Sequence, residues 1–529
     1  MSFDLVIKNG MVVDGCGNPW IRQDLGIKSG KISRIGKIAE GTTAKTIDAT
    51  GLVVAPGFID IHSHDDAVFF VDPLNKAKLQ QGVTTVVNGN CGVSVAPVNR
   101  ATIPFLHQYT SEIQMGLDFT RWRSFAEFLD RLGQIPIGMN VANLVGHGAL
   151  RIAVMGFDSR RPTAGELAAM KRLLAQSMEE GAFGMSTGLI YPPGAYSETE
   201  ELVELSTVVS RYGGLYATHM RDEGDLESEA IEEALRIGRE ANVPVEISHH
   251  KISNKANWGK SIETLARIKR ARADGIDVTL DAYPYTAGSA TLTALFPPWV
   301  YAGGEQRLVE RLKDHETRRA IKQYIEERTD WQNFVKGVEG WQSILISAAS
   351  HHPEYEGRNL LEISRELSKD PYEALFDLAA DEGAKCMMVI FLLDEEDVER
   401  IVCDPGVAVI TDAVPHTQAG KPHPRGFGTY PRVLGRYVRE KGLMTMEEAI
   451  RKMTSLPAQR FNLKTKGSLR EGLDADITVF DPKTITDRAT YQDPRVKPSG
   501  IEYVVVNGAV VLSGSEFTEE RPGRVIRRI

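Results

Sequence analysis

Cysteine is scarce in this chain of 529 residues, which contains only Cys16, Cys91, Cys386 and Cys403. Four widely spaced thiols do not make a disulfide framework, and this favours a reducing compartment. The chain also lacks a basic, apolar leader and any run of the roughly 18 apolar residues that would span a membrane. We therefore predict a cytoplasmic protein.

An excess of positive charge is missing as well, since the formal net charge is −9. Without a basic surface, nucleic acid and anionic membranes are poor candidates as partners. The composition, with 42% hydrophobic and 25% charged residues, is that of a globular protein. The length is sufficient for a large core with an accessory domain.

Short β-rich runs separated by glycine turns occupy both ends of the chain. Residues 5–7 and 475–480 are examples, and both ends are expected to form strands joined by turns. The most economical arrangement is one small β domain built from residues 1–55 and 465–529. The rest of the chain, residues 56–464, is then inserted between its two halves.

Within this central region, apolar runs alternate with amphipathic helical stretches, a pattern typical of βαβ units with a parallel sheet. Eight candidate strands, mostly spaced by roughly 30 residues, are 57–64, 84–90, 139–147, 182–189, 214–220, 243–250, 276–283 and 406–412. Eight strands are what a closed (β/α)8 TIM-type barrel needs, so we predict an α/β barrel fold. The long gap at about 285–345 predicts an inserted, lid-like segment over its mouth.

Side chains that can bind a metal stand at the ends of several predicted strands. They are His62, His64, Cys91, His219, the doublet His249-His250, and Asp412. Because the carboxyl ends of barrel strands meet at one face, these residues are expected to converge. In an extended strand, His62 and His64 point to the same side. Thiolate and imidazole groups are zinc ligands, so the pattern favours a metal site.

Each of these residues also has an ordinary interpretation. Cys91 fits a buried free thiol, and Asp412 fits a helix N-cap or a turn. Strand alternation turns only one of His249 and His250 toward the barrel axis; we select His249, and the pattern leaves His250 open. His147, at the end of the third strand, fits a structural role as well as a pocket. Only the combination favours a metal centre.

Six motifs, taken together, resemble the N-acyl-D-amino-acid deacylase (D-aminoacylase) family of the amidohydrolase superfamily. They are residues 57–66 (GFIDIHSHDD), 88–92 (NGNCG), 218–221 (THMR), 247–251 (ISHHK), 281–285 (DAYPY) and 423–432 (HPRGFGTYPR). The resemblance covers nearly the whole chain. Its most specific mark is Cys91, where many superfamily members use a carboxylated lysine. It also implies that the small β domain is a β-sandwich.

The resemblance implies a tight zinc ion held by Cys91, His219 and His249. A second, weaker site would be outlined by His62, His64, Cys91 and Asp412. The implied substrate contacts are Tyr191, Lys251, Tyr283 and Ser289. Lys251 also suits a carboxylate for its point charge, although a solvated loop lysine is the alternative. One departure from the family pattern is Thr411-Asp412-Ala413, in place of a more common Ser-Asp-Gly.

The implied reaction is zinc-dependent hydrolysis of an N-acyl-D-amino acid to a carboxylate and a free D-amino acid. Asp412 would accept a proton from the attacking water and pass it to the departing amine. Alternatives on the same site are a D-residue dipeptidase, a formamide deformylase and a cyclic-amide hydrolase. A non-catalytic assembly protein is disfavoured, because every expected ligand type is present. The sequence leaves open the preferred acyl group and side chain, the metal stoichiometry and the oligomeric state.

Overall fold

Strands and helices alternate through most of the chain, and the predicted α/β class is confirmed. The computed structural model describes residues 2–39, 41, 45–414 and 420–528. The strands within these ranges are β1 (Leu5–Val12), β2 (Ile21–Lys28), β3 (Lys31–Ile35), β4 (Thr46–Asp48), β5 (Val53–Pro56), β6 (Phe58–Asp60), β7 (Val83–Asn88), β8 (Asn140–Asn143), β9 (Val145–Gly146), β10 (Gly184–Gly188), β11 (Leu215–His219), β12 (Val245–Ile247), β13 (Val278–Ala282), β14 (Ala287–Thr291), β15 (Ile344–Ala348), β16 (Met387–Phe391), β17 (Val407–Val409), β18 (Ile477–Phe480), β19 (Ile501–Val506), β20 (Ala509–Ser513) and β21 (Glu516–Phe517).

The helices mostly lie between consecutive parallel strands. They are α1 (Lys76–Leu79), α2 (Ile103–Tyr109), α3 (Phe125–Gly133), α4 (His147–Met155), α5 (Ala164–Glu179), α6 (Thr199–Arg211), α7 (Glu227–Ala241), α8 (Ser261–Ala273), α9 (Glu305–Lys313), α10 (His315–Glu327), α11 (Phe334–Gly337), α12 (Leu360–Glu366), α13 (Pro371–Glu382), α14 (Glu395–Cys403), α15 (Arg425–Arg432), α16 (Met446–Met453) and α17 (Ser455–Arg460). The longest, α5, begins with a capping box between Thr163 and Glu166. In the part of the chain described, we find no helix long and apolar enough to cross a membrane.

Two parallel sheets form the centre of the molecule. One has the order β17-β13-β12-β11-β10-β9 and the other β6-β7-β8. Each of the eight predicted segments contains a strand, and the third is divided into β8 and β9. Beyond β6 and β17, Ser63 forms a parallel bridge with Ala413. The first and last parallel strands are therefore neighbours at their carboxyl ends.

Gly89 ends β7 in a conformation that requires glycine. Its φ is +78°, and a Cβ added there would collide with the carbonyl oxygen of Leu144. We expect Gly89→Ala to lower the free energy of unfolding by about 2 kcal/mol or more, because left-handed strain and a backbone clash add together. Urea denaturation measures the loss. The control is Gly51→Ala, at φ +82° with open space around it, and an equal loss in both variants would contradict the expectation.

Strands from both ends of the chain share a nine-stranded sheet. Its order is β21-β20-β19-β18-β5-β1-β2-β3, with β4 beside β1, and the antiparallel pair β5 and β18 joins the two ends. The last residues leave this sheet. The N–H of Val141 donates to the carbonyl of Arg524 (2.9 Å), and the N–H of Arg528 donates to the carbonyl of Gly181 (3.0 Å). Part of the segment predicted as 465–529 thus packs on the central strands.

The segment between β13 and β17 leaves the parallel sheet. It forms a three-stranded antiparallel sheet, β14-β16-β15, together with helices α9 to α13. The partner strand of β14 is β16, which ends at Phe391, so the excursion continues well past the predicted limit near residue 345. Residues of this segment, among them Ser289, Tyr301 and Ile390, line a cleft at the ends of the parallel strands.

Candidate metal centre and its cleft

The side chains selected as metal ligands lie together at the carboxyl ends of the parallel strands. Sγ of Cys91 is 3.2 Å from Nε2 of His62 and 3.4 Å from Nε2 of His249. Nε2 of His64 is 3.2 Å from Oδ1 of Asp412. The possible ligand atoms form two groups, and within each group they lie within 4.8 Å of one another. The first group consists of His62, His64, Cys91 and Asp412. The second consists of Cys91, His219 and His249, so Cys91 belongs to both.

Three of these residues have a left-handed backbone. The φ angles are 50° at Cys91, 34° at His249 and 47° at Asp412. Residues with a Cβ adopt this conformation rarely, at a cost of about 1–3 kcal/mol each, and the surrounding structure must hold it. The N–H of Asp412 donates to the carbonyl of His62 (3.0 Å), and the N–H of His249 donates to the carboxylate of Asp281. The turn at each strand end brings the side chain to the shared centre.

The imidazole of His219 provides a test of whether a metal fits. The ring is buried, and neither nitrogen has a hydrogen-bond partner among the residues described. Burial lowers the pKa of His219, so the ring is neutral and keeps a free electron pair. Burial opposes ionisation of Cys91, but His62 and His249 hold the pKa of its thiol well below the usual value. A thiolate beside an unsatisfied neutral imidazole is a donor set that fits zinc.

Glu223 orients His249. Its Oε1 is 2.9 Å from Nδ1 of His249 and 2.6 Å from Nζ of Lys251, which itself lies 2.6 Å from that Nδ1. These contacts at Nδ1 fix the orientation of the imidazole, and Nε2 on its other side faces Cys91. Sequence reasoning missed Glu223, because it stands in an acidic run after β11 that is indistinguishable from a solvated loop.

Arg425 is the partner of the predicted general base. Its Nη1 is 2.8 Å from Oδ2 of Asp412, and its guanidinium lies 4.6 Å from the ring centroid of Tyr283. Burial disfavours the charged form of Asp412, but Arg425, His249 and His62 hold its pKa well below the usual value. The buried carboxylate is therefore ionised and able to accept a proton. The sequence placed Arg425 in a motif and gave it no role.

A buried lysine ties the first and last parallel strands together behind the centre. Nζ of Lys78 contacts the carboxylate of Asp60 and lies 3.1 Å from Oγ of Ser63. The N–H of Thr411, next to Asp412 in the chain, donates to Oδ1 of Asp60 (3.0 Å). This network fixes the strand end that carries Asp412, and no spacing in the sequence indicated it.

The predicted substrate contacts line the same cleft as the candidate ligands. The walls of the cleft include all four residues, Tyr191, Lys251, Tyr283 and Ser289. The ring of Tyr191 lies 5.1 Å from that of His219. His62 is fully buried and does not reach the cleft surface.

Two histidines that the sequence left open lie elsewhere. Nε2 of His250 is 3.0 Å from Oγ1 of Thr264, on the helical side of the sheet. Nε2 of His147 is 2.8 Å from Oε1 of Glu201, which also binds Arg151. Neither ring lines the cleft. Each has a polar partner of its own, as a buried structural histidine requires.

Comparison with known proteins gives consistent matches. Residues 45–512 match the model of the amidohydrolase family. The chain is 41% identical to a D-aminoacylase of Alcaligenes xylosoxydans xylosoxydans, covering 99% of this chain and 98% of that protein. It is 39% identical to an N-acyl-D-glutamate deacylase of the same organism, covering 100% and 97%. Among solved structures, an N-acyl-D-glutamate deacylase from Bordetella bronchiseptica, complexed with zinc and a phosphonate mimic of the tetrahedral intermediate, matches with TM-score 0.85 and 37% identity over 100% of both chains.

Proposed function

The chain belongs to the amidohydrolase family, and from this premise we propose that it hydrolyses the amide bond of N-acyl-D-amino acids, releasing a carboxylate and a free D-amino acid. The observation that carries the proposal is the convergence of Cys91, His219, His249 and Asp412 on one cleft. Full-length relatives named as D-aminoacylase and N-acyl-D-glutamate deacylase support the same reaction.

The architecture proposed with this function is a closed (β/α)8 barrel of residues 56–464. The bridge between Ser63 and Ala413 and the continuity of β8 with β9 support closure. The proposal includes a β-sandwich domain built from residues 1–55 and 465–529, supported by the sheet that both ends share. Closure would place the strand ends, and with them the ligands, around one axis.

In this proposal, Cys91, His219 and His249 hold a tight zinc ion. His62, His64, Cys91 and Asp412 outline a second, weaker position. The orphaned ring nitrogens of His219 and the low pKa of the Cys91 thiol support the first assignment. Zinc in such a site supplies Lewis acidity toward a carbonyl and makes water a stronger acid.

The chain's own side chains complete the chemistry. Asp412 is ionised, held by Arg425, and accepts the proton of the attacking water. It then passes that proton to the amine nitrogen as the amide bond breaks. Lys251, with Tyr283 and Ser289, meets the α-carboxylate of the substrate. Since Glu223 already pairs with Lys251, the lysine is held in place before substrate arrives, which lowers the entropy cost of binding.

Lys251→Ala separates linear from cyclic substrates. We expect the KM for an N-acyl-D-amino acid to rise about 10-fold or more, because a charge-assisted hydrogen bond to the carboxylate is lost. For a cyclic amide, which has no free carboxylate, the KM should be the same in the wild type and in Lys251→Ala. Steady-state kinetics on both substrates, with zinc content measured in parallel, give the result. The matched control is Lys255→Ala, an exposed lysine four residues on, and equal KM values in wild type and Lys251→Ala would contradict the role.

The proposed function is tested by a substrate panel on zinc-loaded protein. The panel contains N-acetyl amino acids of both hands, N-formyl amines and cyclic amides. We expect hydrolysis of the N-acetyl-D-amino acids and little turnover of their L counterparts. Preferred hydrolysis of cyclic amides or of N-formyl amines would replace the proposal with one of the alternative amidohydrolase activities.

A further inference from the structure

Glu112 is a charged residue of the cleft that the mechanism does not use. It follows α2 in a run, residues 108–113, in which every residue lines the cleft. Its side chain is half-buried, and no described residue offers its carboxyl group a hydrogen bond or an ion pair. Burial raises the pKa of Glu112 to about 7, with the charges of Cys91 and Asp412 acting in the same direction and those of His64 and Arg425 acting against it.

The other charges of the cleft are compensated inside the protein. Lys251 pairs with Glu223 at 2.6 Å, and Arg425 pairs with Asp412 at 2.8 Å. Among the charged side chains that line the described part of the cleft, Glu112 alone lacks such a partner. A carboxylate that lines a cleft without a partner of its own in the protein is available to a cation that a ligand brings.

Aromatic rings accompany Glu112. Tyr109, Tyr191 and Tyr301 line the same cleft as Glu112, and burial raises the pKa of each phenol. Phe157 packs between two of these rings, with centroids 6.4 Å from Tyr109 and 5.2 Å from Tyr301. Aromatic rings and a carboxylate in one cleft form a favourable environment for an ammonium group.

We propose that Glu112 determines specificity, selecting substrates that carry an ammonium group in addition to the α-carboxylate and disfavouring those with a second carboxylate. This inference rests on the proposed function and names its substrate class. Two kinds of amide supply the ammonium group. One is an N-acyl-D-amino acid with a cationic side chain, and the other is a dipeptide whose aminoacyl part carries a free α-amino group.

The test compares matched pairs, in which the cationic member carries an ammonium group that its neutral counterpart lacks. N-acetyl-D-lysine is set against N-acetyl-D-norleucine, and L-alanyl-D-norleucine against N-propionyl-D-norleucine, with N-acetyl-D-glutamate as the acidic member. We expect one cationic member to exceed its neutral counterpart in kcat/KM by about 10-fold in the wild type, equivalent to about 1.4 kcal/mol. N-acetyl-D-glutamate should be the poorest substrate. Whichever pair shows the preference identifies the source of the ammonium group.

Variants assign the preference to the residue. Glu112→Gln should remove the difference in kcat/KM between the two members of the preferred pair, and Glu112→Asp should keep part of that difference. Glu316→Gln, an exposed site outside the cleft, makes the same change in net charge and should leave the difference unchanged.

Each contrary outcome is distinguishable. Equal kcat/KM within both pairs of the wild type would overturn the inference, and hydrolysis of N-acetyl-D-norleucine would show that the proposed function survives. A preference that persists in Glu112→Gln would also overturn it. If the wild type hydrolyses no member of the panel, the proposed function fails and the inference fails with it.

Discussion

Replacing Asp412 by asparagine should reduce kcat by about 10³-fold or more, while zinc content stays near that of the wild type. The amide has almost the same shape and can still accept a hydrogen bond from Arg425, which lies 2.8 Å from the carboxylate. It cannot accept a proton. The proposed tight zinc position uses Cys91, His219 and His249, so removal of this carboxylate leaves that position complete.

The measurement pairs steady-state kinetics on an N-acetyl-D-amino acid with metal analysis by mass spectrometry. The control is Asp330→Asn, an exposed site paired with Arg328 and outside the cleft. It should match the wild type in both readouts. Turnover of Asp412→Asn within a few-fold of wild type would show that another group moves the proton.

Loss of the Cys91 thiol should weaken zinc binding by at least about 100-fold, since losing an outer partner of a ligand alone costs 10- to 100-fold. Cys91 belongs to both groups of candidate ligands, so Cys91→Ala removes a donor from each position. Activity should fall together with zinc content. The expectation is checked by metal analysis after dialysis, followed by assay with and without added zinc.

Cys403→Ala is the matched control, because this half-buried free thiol lies outside the cleft. It should retain zinc and activity. A Cys91→Ala protein that retained its full zinc content would assign Cys91 to packing, and the proposed centre would have to be rebuilt from histidines and Asp412.

Regular spacing explains which parts of the fold were predictable. Strand β11 and the segment around β12 repeat the spacing of a βα unit, so the positions of these strands follow from local pattern. The excursion between β13 and β17 was underestimated because β14 pairs with β16, about 100 residues later. That pairing is decided by tertiary packing and leaves no local period to detect. The contact of the last residues with Val141 is likewise decided by tertiary packing.

The candidate site also contains residues that the sequence identified and residues to which it gave no role. Strand alternation distinguished His249 from His250, and the structure puts His249 beside Cys91 and His250 beside Thr264. Those roles remain proposals, and the placement follows from the turn after β12, where His249 has a φ of 34°, since the strand itself ends at Ile247. Supporting residues such as Glu223 and Arg425 were given no role, because their contacts depend on how the chain folds beyond the strand ends.

The left-handed turns at Cys91, His249 and Asp412 have a consequence for directed evolution. Glycine adopts φ angles of this sign freely, so a glycine at any of the three would relax the main chain while deleting a donor that the proposed chemistry needs. A library screened for heat resistance alone would therefore accumulate inactive clones at these positions. At these three positions a substitution that favours stability removes activity, so a screen has to select for heat resistance and for turnover together.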